Sequence, residues 1–212
     1  MGAMVKPPAR LHWHPFSLFP RRVRIALAEK GIGYEDVIVD LPGGAQRDAA
    51  FRRLNPFGQV PVLEDGDVVI YESLAILEYL EERHPSPPLL PADAAGRARA
   101  RQLMQASGDY LAPPFKRWLA RLFTPREQWD VADQERAREE IGAHLDVLEA
   151  VLGERDHLAG DAFTLADIAY APLVCEMAAV QLDDMLAARP AAAAWVARLR
   201  ARPAVRDSSP GG

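Results

Sequence analysis

NPFGQVPVLEDGDVVIYESLAILEYL, residues 55–80, carries four signals in a fixed order. Asn55-Pro56-Phe57-Gly58 has the composition of a turn. Val60-Pro61 then leads into an apolar run. Val60–Leu63 and Val68–Tyr71 are rich in strand formers and are joined through Asp65-Gly66-Asp67, a hairpin signal. Glu72-Ser73 follows at the mouth of a helix to Arg83, in which Leu74, Leu77, Glu78 and Leu80 recur at helical spacing.

Upstream, Leu11–His14 is short, apolar and aromatic and reads as a buried strand. Pro15-Phe16-Ser17 breaks it. The next segment is a helix, with Pro20 in its first turn, an apolar stripe of Val23, Ala26 and Leu27, and Gly31 where a C-terminal cap belongs. Tyr34–Val39 reads as a second strand, Pro42-Gly43-Gly44 as a loop and Asp48–Leu54 as a short helix. The order is strand, helix, strand, helix, strand, strand, helix. A helix between strands implies a parallel crossover, and the tight hairpin implies an antiparallel edge.

Downstream, residues 85–91 are proline-rich and cannot form regular helix, so a linker is expected there. It divides a sheet-containing domain, 9–84, from an all-helical one, 92–203, with 204–212 read as a disordered tail. Strand signals vanish after the linker. Residues 93–123 form a long helical region with a kink expected at Pro113-Pro114. Gln134–Leu152 presents Ile141, Leu145, Leu148 and Leu152 on one face. Thr164-Leu165-Ala166-Asp167 resembles a capping box opening a helix toward Met177, and its two polar residues are expected to fold that helix and do no chemistry. Pro190 opens a last helix and Pro203 stops it.

Composition narrows the function classes. The 212 residues suffice for one large or two modest domains, and no apolar run approaches a membrane span. No charged-then-apolar leader opens the sequence. A net charge of −5 argues against nucleic acid or an anionic membrane as the main partner, and Arg97, Arg99 and Arg101 read as a solvated helix face. Cys175 is the sole cysteine, which excludes an internal disulfide and fits a reducing, cytoplasmic setting. It lies among apolar residues and reads as a buried, inert thiol. His12 and His14 sit two apart, but no third ligand accompanies them, so they read as core or turn residues and no metal is expected.

The ordered set of Ser17 five residues before Arg22-Val23, Asn55-Pro56, Gln59-Val60-Pro61, Glu72-Ser73 and the Thr164–Asp167 helix start resembles the cytosolic glutathione transferase family, from about Leu11 to Pro203. The run Arg21–Ile32 looks most like the serine-type branch, with zeta-like, tau-like and many bacterial members. The resemblance implies an α/β plus all-α fold: a thioredoxin-like N-terminal domain (βαβαββα) followed by an all-helical C-terminal domain. It implies glutathione as co-substrate, a small hydrophobic electrophile as second substrate and a homodimer, without nucleic acid or membrane partners. It further implies that Pro61 is cis and presents the Val60 backbone to the cysteinyl part of glutathione. Glu72 and Ser73 would bind the γ-glutamyl end, and Gln59 the glycyl end. Ser17 would donate a hydrogen bond to the sulfur, although its local alternative is a helix cap. Phe16, Tyr110, Phe115, Arg117 and Trp118 would lie in or near the second-substrate pocket, with helix packing as their alternative.

Two departures from the family pattern matter. Trp13 and His14 stand where another branch keeps an activating tyrosine, and Pro20 stands where many thioredoxin-like proteins have a cysteine. Mixed-disulfide chemistry is therefore not expected. Conjugation of glutathione to an electrophile is the leading reading. A maleylacetoacetate-type isomerase or dehalogenase is the enzymatic alternative, and a non-catalytic binding protein is the other.

Overall fold

The computed structural model describes residues 8–153 and 155–209, and the last three residues of the predicted tail fall outside them. The chain divides into two compact units. One runs to Pro88 and is joined by the segment from Pro203; the other is Leu89–Arg202.

The first unit contains β1 (Ala9–Trp13), α1 (Leu18–Glu29), β2 (Tyr34–Ile38), α2 (Ala49–Leu54), β3 (Val62–Asp65), β4 (Val68–Tyr71) and α3 (Ser73–Arg83). This is the predicted thioredoxin-like order. The sheet runs β2-β1-β3-β4, with β1 parallel to β2 and antiparallel to β3, and β3 antiparallel to β4. Pro20 lies in the first turn of α1, where a missing N–H costs nothing. Gly31 ends that helix at φ 64°, with its N–H donating to the Ala28 carbonyl and the Ile32 N–H to the Leu27 carbonyl. Leu11, Val23, Ala26 and Leu27 are buried with Leu63, Ile76 and Leu77 in the core of this unit. The stripe of α3 differs from the sequence reading. Glu81 is buried and Glu78 is not, because Glu81 meets Lys30 Nζ at 2.7 Å.

The predicted tail is in part a packed element. α10 (Pro203–Arg206) contacts α1, Val205 and Ser208 are buried, and Arg21 Nη2 donates to Ser209 Oγ at 2.7 Å. A polar, glycine-ended sequence read as disorder thus acquires order from a buried arginine that no local pattern announces.

The second unit is helical: α4 (Ala94–Ala106), α5 (Ala112–Ala120), α6 (Val131–Leu152), α7 (Leu165–Val174), α8 (Asp183–Ala187) and α9 (Pro190–Ala201). Ile141, Leu145, Leu148 and Leu152 are buried along α6 as expected. The expected kink takes the form of a π turn at Ser107–Leu111, just before the two prolines. Pro113 and Pro114 offer no N–H to the preceding carbonyls, and a widened turn relieves the clash of their rings. α7 stops at Val174, short of Met177. Cys175 is therefore its half-buried C-terminal cap, not a buried mid-helix thiol, and its carbonyl accepts from Arg200 Nη2 at 2.6 Å. No helix among the described residues is long and apolar enough to cross a membrane.

Candidate functional site

Strand pairing decides where the predicted residues of the first unit gather. His12 pairs with Val62, and Val62 with Tyr71. The C-terminal end of β1, the start of β3 and the C-terminal end of β4 therefore share one end of the sheet. Ser17 follows β1, Val60-Pro61 precedes β3, and Glu72-Ser73 follows β4. Ser17 thus meets residues 43 or more positions away at the carboxyl ends of two strands, a usual ligand position in α/β sheets.

Ser17 occupies the N-cap position of α1, yet its side chain makes no cap hydrogen bond. Its backbone N–H is held by the His14 carbonyl at 2.9 Å. The half-buried hydroxyl therefore stands as an uncommitted donor beside the positive end of a 12-residue helix. Such a group stabilises an anion within hydrogen-bonding distance.

The turn before β3 is organised by Asn55, a buried residue that the sequence reading treated only as part of a motif. Its Nδ2 donates to the Gln59 carbonyl at 2.7 Å, and its Oδ1 accepts from the Phe57 N–H at 3.0 Å. Gly58 has φ 62°, and a Cβ there would lie 2.7 Å from the Gln46 carbonyl oxygen. This turn leaves the Gln59 side chain exposed and delivers Val60 into a cluster with Val39, Phe51 and Val62. The Val60–Pro61 bond is cis.

Glu72 is exposed at the N-cap of α3 with φ 70° and ψ 112°, a region that L-residues rarely adopt. Ser73 is 6% exposed, and its Oγ accepts from Arg22 Nη1 at 3.2 Å. Arg22 belongs to the early part of α1, so the N-terminal parts of α1 and α3 lie side by side. Sequence reasoning used Arg22 only as a spacing marker. Its signal was available in part, since an arginine on the apolar side of an amphipathic helix implies a buried acceptor.

The histidines take the structural roles expected of them. His12 Nε2 lies 2.6 Å from Glu64 Oε1, and its ring meets Phe51 edge-on. His14 Nδ1 accepts from the Phe16 N–H at 3.3 Å. Among the described residues no group of three His, Cys, Asp or Glu is placed to hold a metal ion.

The five residues assigned to a second-substrate pocket are not equivalent. Phe16 and Tyr110 are 76% and 67% exposed. Phe115 is buried in the helical unit at 1% exposure. Trp118 is also buried, donating Nε1–H to the Val180 carbonyl at 2.9 Å under the Arg121 guanidinium. Arg117 is tied to Glu140 at 2.7 Å and Asp133 at 3.4 Å. Packing thus accounts for Phe115, Trp118 and Arg117.

Comparison with known proteins decides the family. Residues 16–83 match the family described as Glutathione S-transferase, N-terminal domain, and residues 111–203 match Glutathione S-transferase, C-terminal domain. Glutathione S-transferase 3 of Zea mays is 37% identical over 207 residues, covering 95% of this chain and 93% of the maize protein. The chain belongs to the glutathione S-transferase family. Solved structures of the family agree. A glutathione transferase from Burkholderia graminis, with two glutathione molecules bound per subunit, superposes with a TM-score of 0.86 at 30% identity, covering 95% of this chain and 87% of that one. A family member from Pseudomonas fluorescens with two glutathione bound gives 0.88 at 26% identity, covering 97% and 94%. The two units of this transferase-family chain correspond to the family's N- and C-terminal domains.

Proposed function

We propose that this chain is an active glutathione transferase: it binds glutathione at the sheet end of its first unit, holds the thiol as thiolate, and transfers it to a small electrophile. The observation that carries this reading is Ser17, whose hydroxyl stands at a helix start without capping it, at the same sheet end as Val60-Pro61 and Ser73. A free thiol has a pKa of roughly 8.5 and is mostly protonated at neutral pH. A hydroxyl donor and a helix N-terminus lower the cost of the anion, and the proton leaves to water. The sulfur lone pair then forms the new S–C bond, and the displaced electron pair leaves with the departing group or moves onto the electrophile. Ser17 neither ionises nor bonds covalently.

In this reading Val60 holds the cysteinyl backbone, Gln59 the glycyl end, Ser73 the γ-glutamyl carboxylate and Glu72 its ammonium. Residues 9–84 form the glutathione domain. Residues 92–203 form the domain for the electrophile, with exposed Tyr110 among its contacts. We place the chain in the serine-type branch because Ser17 is its activating group. The zeta- or tau-like affiliation suggested by the sequence is part of this proposal, and the relatives named above carry neither designation. A cytoplasmic homodimer completes it; light scattering is expected to give twice the 23.4 kDa chain mass.

The deciding experiment is an ultraviolet difference titration of glutathione across pH. Thiolate absorbance at neutral pH is expected from the wild-type protein, and at higher pH from Ser17→Ala. Calorimetric binding without thiolate absorbance would replace the enzyme with a non-catalytic glutathione-binding protein.

A further inference from the structure

Arg22 is a charged side chain in a place that charged side chains avoid. It is 2% exposed, in the second turn of α1, with its guanidinium 4.9 Å above the Phe19 ring. Its Nη1 donates across to Ser73 Oγ at 3.2 Å, joining the helix that follows Ser17 to the first residue of α3. The direction of that bond has a consequence. A guanidinium only donates, so Ser73 Oγ is the acceptor. A serine hydroxyl has one hydrogen, and here that hydrogen is not needed for Arg22. It can be given to a group that only accepts, such as a carboxylate. The buried charge also polarises the hydroxyl, because in a low-dielectric setting linked hydrogen bonds strengthen one another.

We propose that Arg22 is a positioning residue that fixes Ser73 as a donor and thereby makes the site selective for a ligand carrying the γ-glutamyl α-carboxylate. This rests on the assignment of Ser73 to that carboxylate. Arg22 does not touch the ligand; it acts through Ser73. It also links the two packed helix starts by a buried hydrogen bond, so it contributes to the position of Ser17 relative to that carboxylate.

The test compares two peptides, glutathione and its analogue lacking the γ-glutamyl α-carboxylate, 4-aminobutyryl-cysteinyl-glycine. Binding of each is measured by calorimetry to the wild type, Arg22→Met, Arg22→Lys and Ser73→Ala, with circular dichroism as the folding check. The wild type is expected to prefer glutathione by at least about tenfold, the size of a charge-assisted hydrogen bond. Arg22→Met is expected to weaken glutathione about tenfold and the analogue less than threefold, and Ser73→Ala to do the same. Adding Arg22→Met to Ser73→Ala should cost little more for glutathione, because the two residues act through one bond. Arg22→Lys, which keeps the charge and a donor, should fall between. An equal loss for both peptides in Arg22→Met, or in Arg22→Lys should the former not fold, would overturn the proposal and leave Arg22 a packing residue. A wild type that does not distinguish the peptides would instead overturn the assignment of Ser73.

Discussion

Three helix starts, one in the second unit and two in the first, use the same chemistry to opposite ends. α7 begins at Thr164, whose Oγ1 accepts from the Ala166 N–H, while the Asp167 carboxylate returns to the Thr164 N–H at 2.9 Å and to its hydroxyl at 3.0 Å. Asp167 also accepts from the Leu158 N–H at 3.1 Å and the Trp195 indole N–H at 2.8 Å. That carboxylate, fully buried, is committed entirely to the fold. α1 begins at Ser17, whose hydroxyl is committed to nothing in the helix it opens. α3 begins at Glu72, held in a costly conformation, and Ser73, tied to a residue that leaves its hydrogen available. A helix start that satisfies itself is architecture. One that withholds its side chain, or is held strained by its surroundings, is available to a ligand.

The contrast yields predictions with separable readouts. Asp167→Ala strands several buried donors at once and should cost at least about 3 kcal/mol in urea unfolding, since each unsatisfied group costs roughly 1–3 kcal/mol. A loss under about 1 kcal/mol would mean that the network is not what holds α7. Ser17→Ala should lower kcat/KM for conjugation about 10- to 100-fold, the value of a hydrogen bond to a charged group, and leave stability within about 0.5 kcal/mol. Thr164→Ala is its mirror image, expected to cost about 1 kcal/mol of stability with the pKa of bound glutathione unchanged. If both variants lost stability equally, the distinction between the two starts would collapse.

Glu72→Gly relieves a positive φ and should stabilise the fold by about 1 kcal/mol while weakening glutathione binding. Stabilisation without weaker binding would make the strain purely structural. The smallest effect concerns His144, which is buried against the Tyr170 hydroxyl at 2.9 Å. Burial lowers its pKa below the ordinary 6.5. The unfolded chain therefore takes up the proton first as pH falls. The contribution to stability is present above about pH 6.5 and is lost progressively as pH drops toward the folded value. His144→Gln should flatten stability against pH in that window, and an unchanged slope would assign the acid sensitivity elsewhere.

Much of the fold was legible because its signals are local. Gly66-Asp67 closes the hairpin between Asp65 and Val68, Gly31 ends α1, and Thr164 with Asp167 opens α7. Each is fixed by the conformations that a few adjacent residues permit. Ser17, Gln59-Val60-Pro61 and Glu72-Ser73 stand out in the sequence through family resemblance more than through chemistry, for a serine before a helix reads equally well as a cap. The exposure of the residues assigned to a second-substrate pocket was not legible. Tyr110, Phe115, Arg117 and Trp118 share one helical stretch, and which of them faces outward depends on a π turn and on the helices packed against it.

The sequence by itself determined the order of elements, the two-domain division and the composition of each helix start, because these depend on neighbours within a few positions. Only the tertiary structure decided that Ser17, Val60-Pro61 and Ser73 share one end of the sheet, through the register of β1, β3 and β4. It alone placed Arg22 on Ser73, Lys30 on Glu81 and Arg21 on Ser209. These are contacts of long side chains across 51 to 188 residues of sequence. A buried charge must find a partner, but its own neighbourhood in the chain does not say which one.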